Sequence, residues 1–230
     1  MDIHIESLLA GATNARGVVA IIDVFRAFST AAVALANGAS RIIMVSTVEE
    51  TLFLRNSGVG QVCMGESGGH APAGFDFGNS PFAVSTVNFH GKTIIQRTSA
   101  GTQGITAASQ AQRLYASALV TATATARSMR AGSPGQITLV AMGKNALDRT
   151  DEDELCALHL RNLLDGRPGD PNAVRAVILA AGEAPRFRDA NPPHLYPADL
   201  DIALDIDRYD FAIRVTMEDS RPVARMERTG

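Results

Sequence analysis

The sequence predicts an α/β chain, a three-layer α/β/α arrangement on a mostly parallel sheet with a C-terminal hairpin. Three observations carry that expectation. Short apolar runs rich in β-branched residues recur along the chain, and most are followed by a segment with helical spacing and a recognisable start or stop. The runs are continuously apolar rather than alternating, as expected of parallel strands covered on both faces.

Six runs read as strands: "GVVAIIDV" (17–24), "RIIMVS" (41–46), "QVCM" (61–64), "KTIIQRT" (92–98), "SALV" (117–120) and "ITLVAM" (137–142). Between them, "FSTAAVALANGA" is alanine-rich and stops at Gly38, a natural C-cap. "TVEETLFLRNSG" opens with Thr47 and Glu50 in capping-box spacing and stops at Gly58. "TQGITAASQAQRL" (102–114) and "TATATARSMRAG" (121–132) read as helices, and "TDEDELCALHLRNLLDG" repeats the capping spacing with Thr150 and Asp153. In the last third, "PNAVRAVILAAG" and "ADLDIALDI" read as helices around a proline-rich loop, "EAPRFRDANPPHLYP". "YDFAIRVTM" and "RPVARMER" close the chain as a hairpin. The expectation is one domain over 1–230, with two lobes, about 1–115 and 116–230, as a variant that places a site between them.

At 230 residues and 46% hydrophobic content the chain can bury a sizeable core. A net charge of −3 and a pI near 5.9 argue against nucleic acid or an anionic membrane as the main partner. Cys63 and Cys156 lack a CxxC spacing and read as small buried hydrophobes in a reducing compartment. The start, "MDIHIESLLAG", lacks the basic and apolar regions of a signal peptide. A cytoplasmic enzyme is the expectation, with a homodimer as the default assembly.

In open α/β sheets ligands bind outside the carboxyl ends of strands, so the polar segments leaving those ends are where chemistry is sought. The first places Asp23 after the most apolar strand, then Arg26, Ser29 and Thr30 entering a helix. An acid there is costly unless it meets a cation or several hydrogen bonds, and the arginine and hydroxyls suit an anion. Alternatively Asp23 caps its helix beside a surface arginine. The second, "GESGGHAPAGFDFGNSP" (65–81), is too long for an ordinary connection. It offers Glu66, Asp76, Asn79 and Ser80, hard oxygen donors suited to Mg²⁺. Its His70 is a candidate proton donor. The third, "RTSAGT", presents Arg97, Thr98, Ser99, Gly101 and Thr102, a small-residue turn able to approach phosphate oxygens. The fourth runs from Gly143 to Asp153, and its "TDEDE" (150–154) reads first as a helix start whose acids offset the macrodipole, and second as a source of metal or supporting carboxylates in Glu152 and Asp153. The histidines have no zinc-ligand spacing, and there is neither a Walker loop nor a dinucleotide fingerprint.

Taken together, "IDVFRAFSTAAVALANGA", "GESGGHAPAGFDFGNSP", "RTSAGTQGI" and "DEDELCA" resemble the 2-phosphosulfolactate phosphatase family, the ComB-like proteins of coenzyme M biosynthesis. The resemblance implies an α/β/α fold and Mg²⁺-dependent hydrolysis of a phosphate monoester, releasing phosphate from a small phosphorylated acid. Two departures stand out. The family usually reads Thr-Thr-Asn-Gly-Thr where this chain has Ser99 and Ala100 before Gly101. It often carries cations at the places of Ser67 and Ala71.

The resulting expectation is a phosphatase in which Asp23, Glu66 and Asp76 hold Mg²⁺ and Arg26 and Arg97 neutralise the phosphoryl oxygens. Ser29, Thr30, Asn79, Thr98, Ser99, Gly101 and Thr102 line the substrate. The alternative is a phospho-ligand-binding protein that kept the anion cradle without turnover. Phe25 stands where a second acid of a DxD pair would be, so an aspartyl-phosphate route of that familiar kind is not supported.

Overall fold

The computed structural model describes residues 1–180, 182–189 and 194–228. In chain order the elements are β1 (Asp2–Ser7), α1 (Leu8–Asn14), β2 (Gly17–Ile22), α2 (Ala27–Ala36), β3 (Arg41–Val45), α3 (Val48–Asn56), β4 (Val62–Gly65) and α4 (Pro81–Val84). There follow β5 (Thr93–Arg97), α5 (Gly101–Ala107), β6 (Ala111–Ser117), α6 (Ala122–Arg130), β7 (Gln136–Ala141) and α7 (Asp151–Leu164). The chain ends with α8 (Pro171–Ala180), α9 (Pro197–Ala203), β8 (Ala212–Glu218) and β9 (Arg221–Glu227).

All nine strands join one sheet in the order β1-β7-β2-β6-β8-β9-β3-β5-β4, with helices on both sides. Five of the eight pairings are parallel. Strands from both halves of the chain are interleaved in this one sheet.

The centre follows from composition. Every residue of β2 is buried, as a strand flanked by β7 and β6 and covered on both faces requires. Nine consecutive residues of α2, Ala27 to Leu35, are also buried. Its alanines let it sit close against β3 and β6 on one side and α4 and α5 on the other. Burying Phe28 or Leu35 there contributes about 1.5–3 kcal/mol each. The helix stops where expected: Gly38, at a φ of +96°, donates its N–H to the Leu35 carbonyl at 3.0 Å. Thr47 caps α3 through its hydroxyl, which accepts from the Glu50 N–H at 3.1 Å.

Three segments differ from the sequence expectation. β1 and α1 were not anticipated; β1 pairs with β7 at the sheet edge, where its burial alternates. The predicted helix over 102–114 ends at Ala107, and Ala111–Ser117 form β6 instead. Leu114, Tyr115 and Ala116 are buried there between β2 and β8, and that tertiary pairing overrides the helical preference of an alanine-rich stretch. "SALV" is accordingly the end of β6 and a 3₁₀ turn, Leu119–Thr121. Part of the predicted proline-rich loop, 190–193, lies outside the described residues.

The C-terminal hairpin forms as expected, turning through Asp219 and Ser220, both at positive φ, the backbone that a two-residue hairpin loop requires. Its position is the surprise. It is inserted in the middle of the sheet, β8 beside β6 and β9 beside β3, both antiparallel. The hairpin thus joins two parallel blocks, β1-β7-β2-β6 and β3-β5-β4, whose strands run in opposite senses along the sheet. Sheet twist accumulates from strand to strand. In this sheet the carboxyl ends of both blocks meet: Asp23, after β2, accepts a hydrogen bond at 2.9 Å from the N–H of Gly101, after β5.

Candidate active site

A cleft of about 330 Å³ opens where those ends meet. Asp23 enters it from β2, Glu66 from β4, Ser99 and Ala100 from β5, and Gly143 to Asn145 from β7. Glu152 comes from the start of α7, and a segment around Phe187 and His194 forms the remaining wall.

Asp23 is buried, and its two oxygens accept from Ala27 N–H and Gly101 N–H, both at 2.9 Å. The second bond needs glycine. A Cβ on Gly101 would lie 2.9 Å from Asp23 Oδ2, Ala27 Cβ and Phe28 Cζ. Burial pushes the Asp23 carboxyl up to about 6, assisted by the charge of Glu66; the two backbone donors and Arg26 oppose the rise without cancelling it.

Glu66 organises two loops. Oε1 accepts from Ser99 N–H at 2.5 Å, while Oε2 accepts from Ser99 Oγ at 3.0 Å and Gly69 N–H at 2.8 Å. Asp153 makes the matching tie on the other side, accepting from Val24 N–H at 2.7 Å and Gly143 N–H at 2.8 Å. It therefore does not complete a capping box, and the Thr150 hydroxyl makes no cap bond. Burial and the charges of Glu152 and Asp23 raise the Asp153 carboxyl well above the usual carboxylate range.

Glu152 is buried, lines the cleft, and its Oε2 has no partner among the described residues. Burial raises its carboxyl to about 7, with the charges of Asp23 and Asp151 adding to the rise. Asn79 Oδ1 is likewise buried and unpartnered. A buried carboxylate oxygen without a donor is expensive unless it is protonated or meets a cation.

Several expected site residues stand elsewhere. Asp76 does not reach the cleft: its side chain is 42% exposed, its Oδ2 accepts from Cys63 N–H at 2.8 Å, and Arg55 pairs with it at 3.4 Å. It fastens the glycine loop to β4. Arg97 is turned to the backbone, donating to the carbonyls of Ser46 at 3.2 Å and Glu66 at 2.6 Å. Ser29 and Thr30 are buried within α2, bonded to the carbonyls of Val24 and Arg26. Thr98 and Thr102 bond each other across the β5–α5 turn. These hydroxyls shape the turns and are not among the residues that line the cleft.

Arg26 does line the cleft, but it is held. Its Nη1 donates to Asp199 Oδ2 at 2.7 Å and to the His194 carbonyl at 2.8 Å, and the guanidinium lies over the Phe187 ring at 5.7 Å. Asp199, fully buried at the start of α9, also accepts from Ser80 Oγ at 2.6 Å and Phe82 N–H at 3.0 Å. Arg26 thus pins the C-terminal wall to the β2 loop. Asn79 and Ser99 reach the cleft as expected, and so does His70, whose ring lies 4.1 Å from that of His194. Burial first, then the electrostatic influence of neighbouring His70, Arg26 and Arg186, hold the His194 imidazole below its ordinary value.

Sequence reasoning did not single out Lys144, Glu183, Arg186, Phe187, His194 or Asp199. Lys144 follows a strand end, a place the topology rule flags; nothing local distinguishes the others from a solvated loop.

Among the described residues no three His, Cys, Asp or Glu side chains gather to hold a single ion directly. The donor set nevertheless fits a hard cation sharing its shell with water. Asp23 and Glu152 are carboxylates facing one cleft, one oxygen is orphaned, and burial holds both acids above the usual carboxylate range. Mg²⁺ is commonly bound by one or two carboxylates, several waters and substrate phosphate.

These features define an α/β protein with a small-molecule site at the carboxyl ends of its parallel strands, rich in carboxylates. The sequence model of the family 2-phosphosulpholactate phosphatase matches residues 3–184. The chain belongs to that family, and so to the phosphoric monoester hydrolases. It is similar to the probable 2-phosphosulfolactate phosphatase of Bacillus subtilis (28% identical over 209 residues, 88% of each chain). It is also similar to that of Deinococcus radiodurans (36% over 172 residues, 73% of this chain and 72% of the relative). A third, from Thermotoga petrophila, is 49% identical over 85 residues, 37% of each chain. No helix among the described residues is long and apolar enough to cross a membrane.

Proposed function

We propose that the protein is a Mg²⁺-dependent phosphatase that hydrolyses 2-phosphosulfolactate, or a close phosphorylated acid, to the hydroxy acid and phosphate. The observation that carries this reading is the pair Asp23 and Glu152, buried carboxylates facing one small cleft, with Glu152 Oε2 unpartnered. They would hold the ion. Held there, Mg²⁺ would supply charge neutralisation at the phosphoryl oxygens and activation of the attacking water.

The chain's own residues do the positioning on which phosphoryl transfer depends. Glu66 fixes the Ser99 and Gly69 turns, so that the Ser99 hydroxyl and the Asn79 amide border the cleft where a phosphoryl group would sit. Asp153 ties the β2 and β7 loops together, fixing the distance between Asp23 and Glu152. Arg26 keeps the C-terminal wall closed over the site instead of serving as a free phosphate ligand. His70 borders the cleft and stands available to protonate the leaving oxygen.

Phosphate release from 2-phosphosulfolactate and a panel of phospho-carboxylates, with Mg²⁺ or EDTA, tests the reading. Release should require Mg²⁺ and fall at least about 100-fold in Asp23→Asn, a loss of roughly 3 kcal/mol of transition-state stabilisation. No release above a blank with any divalent metal would support ligand binding without turnover instead.

A further inference from the structure

Besides the carboxylates Asp23 and Glu152, the cleft is lined by a basic wall formed by Lys144, from the loop after β7, and Arg186, from the 3₁₀ turn Ala184–Arg188. Both cations share one acid. Lys144 Nζ lies 3.8 Å from Glu183 Oε1, and Arg186 Nη1 hydrogen-bonds Glu183 Oε2. Two positive charges against one carboxylate leave this wall with a net positive charge. A guanidinium carries five N–H donors, so one bond to Glu183 leaves several free for a second planar anion.

The wall is firmly mounted. Phe187, next to Arg186, is buried, meets Phe25 edge-on at 5.1 Å and lies against the Arg26 guanidinium. Arg186 and Lys144 themselves remain about half exposed, at 47% and 45%, able to reach a ligand without unpacking anything. Arg186 and Phe187 lie beyond residue 184, where the match to the family's sequence model ends.

We propose that Arg186 and Lys144 determine substrate specificity by binding the second anionic group, a carboxylate or sulfonate, at the non-phosphoryl end of the substrate. This assignment rests on the phosphatase reading and deepens it. The phosphoryl group lies by Asp23 and Glu152 with its cation, and the acid group of the same substrate meets Arg186 and Lys144 within the one cleft. A phosphate ester lacking a second anion gains nothing from that wall.

The test compares kcat/KM of the Mg²⁺-loaded wild type, Arg186→Gln, Lys144→Met and the double variant on 2-phosphosulfolactate and on isopropyl phosphate, which has no second anion. Arg186→Gln should lose about 10- to 100-fold on the acid substrate, mainly through KM, and less than about 3-fold on isopropyl phosphate. Lys144→Met should lose about 3- to 10-fold in the same selective way. Equal losses on both substrates, or none on the acid, would overturn the proposal. If the wild type releases phosphate from neither ester, the phosphatase reading fails. Titration with sulfolactate then still judges the wall: binding weakened by Arg186→Gln upholds it, and binding unchanged rejects it. The unfolding midpoint of each variant should match wild type, since neither side chain is buried.

Discussion

Asp199→Asn is the perturbation for which the structure gives the firmest magnitude. The change keeps the shape of the side chain and removes its charge. Arg26, 6% exposed, then sits in the interior without its counter-ion, facing an amide at the place of an oxygen 2.7 Å away. Breaking a buried pair by removing one partner costs about 3–5 kcal/mol, chiefly because the surviving charge is left uncompensated. The bonds from Ser80 Oγ and Phe82 N–H can persist to the amide oxygen, so the lower half of that range is expected. At 2–4 °C per kcal/mol for a chain of this size, the melting temperature should drop by about 6–15 °C. Urea unfolding followed by far-UV circular dichroism is the suitable assay, since the chain has no tryptophan. Arg26→Met in the Asp199→Asn background removes the stranded charge. The double variant should be more stable than the sum of the two single losses by more than about 1 kcal/mol. An Asp199→Asn loss below about 1 kcal/mol, or strict additivity, would refute the pin.

Other outcomes follow from the same geometry. Because Asp23 is raised to about 6 and Glu152 to about 7, the folded protein holds protons that the unfolded chain has released between about pH 4 and pH 7. Metal-free protein should therefore lose stability as pH rises through that window, on the order of 3 kcal/mol per carboxylate. Thermal melts in EDTA should show that slope, and the double variant Asp23→Asn, Glu152→Gln should show a clearly shallower one, the remainder coming from the buried Asp153; an unchanged slope would contradict the shifts. Asp76→Ala should leave kcat and the Mg²⁺ requirement within about 2-fold of wild type while costing about 1 kcal/mol, the worth of its bond to Cys63 N–H. A large activity loss there would return Asp76 to the site.

Much of the fold was legible because its signals are local. Continuous apolar runs such as 17–22 have no stable place except a doubly covered strand, and Gly38 and Thr47 end and begin helices by chemistry confined to a few residues. The topology rule then directed attention to Asp23, Glu66 and Ser99, which the structure does bring to one cleft. What failed was non-local. Tyr115 and Leu114 are strand residues only because β2 and β8 lie on either side, and a hairpin that splits a sheet looks the same in sequence as one that ends it. Asp76 misled because its loop turns back on β4, and a carboxylate bonded to a backbone N–H has the same sequence signature as one aimed at a cation. Glu152 and Asp153 show the converse. Two adjacent acids at a helix start look interchangeable, yet one ties two loops by their N–H groups and the other faces the cleft. Arg186 and His194 gained their place from the Arg26–Asp199 pin, a contact spanning 173 residues that no local pattern announces.

In the proposed function Asp23 and Glu152 hold one divalent cation beside the phosphoryl seat. Anomalous diffraction from crystals soaked in Mn²⁺ with a phosphate mimic tests this. One strong peak is expected in the cleft, about 2–2.5 Å from a carboxylate oxygen of each residue, with the mimic reaching toward Ser99 and Asn79. A peak beside Asp76 and Arg55, or a mimic bound in the cleft with no cation near Asp23, would contradict it.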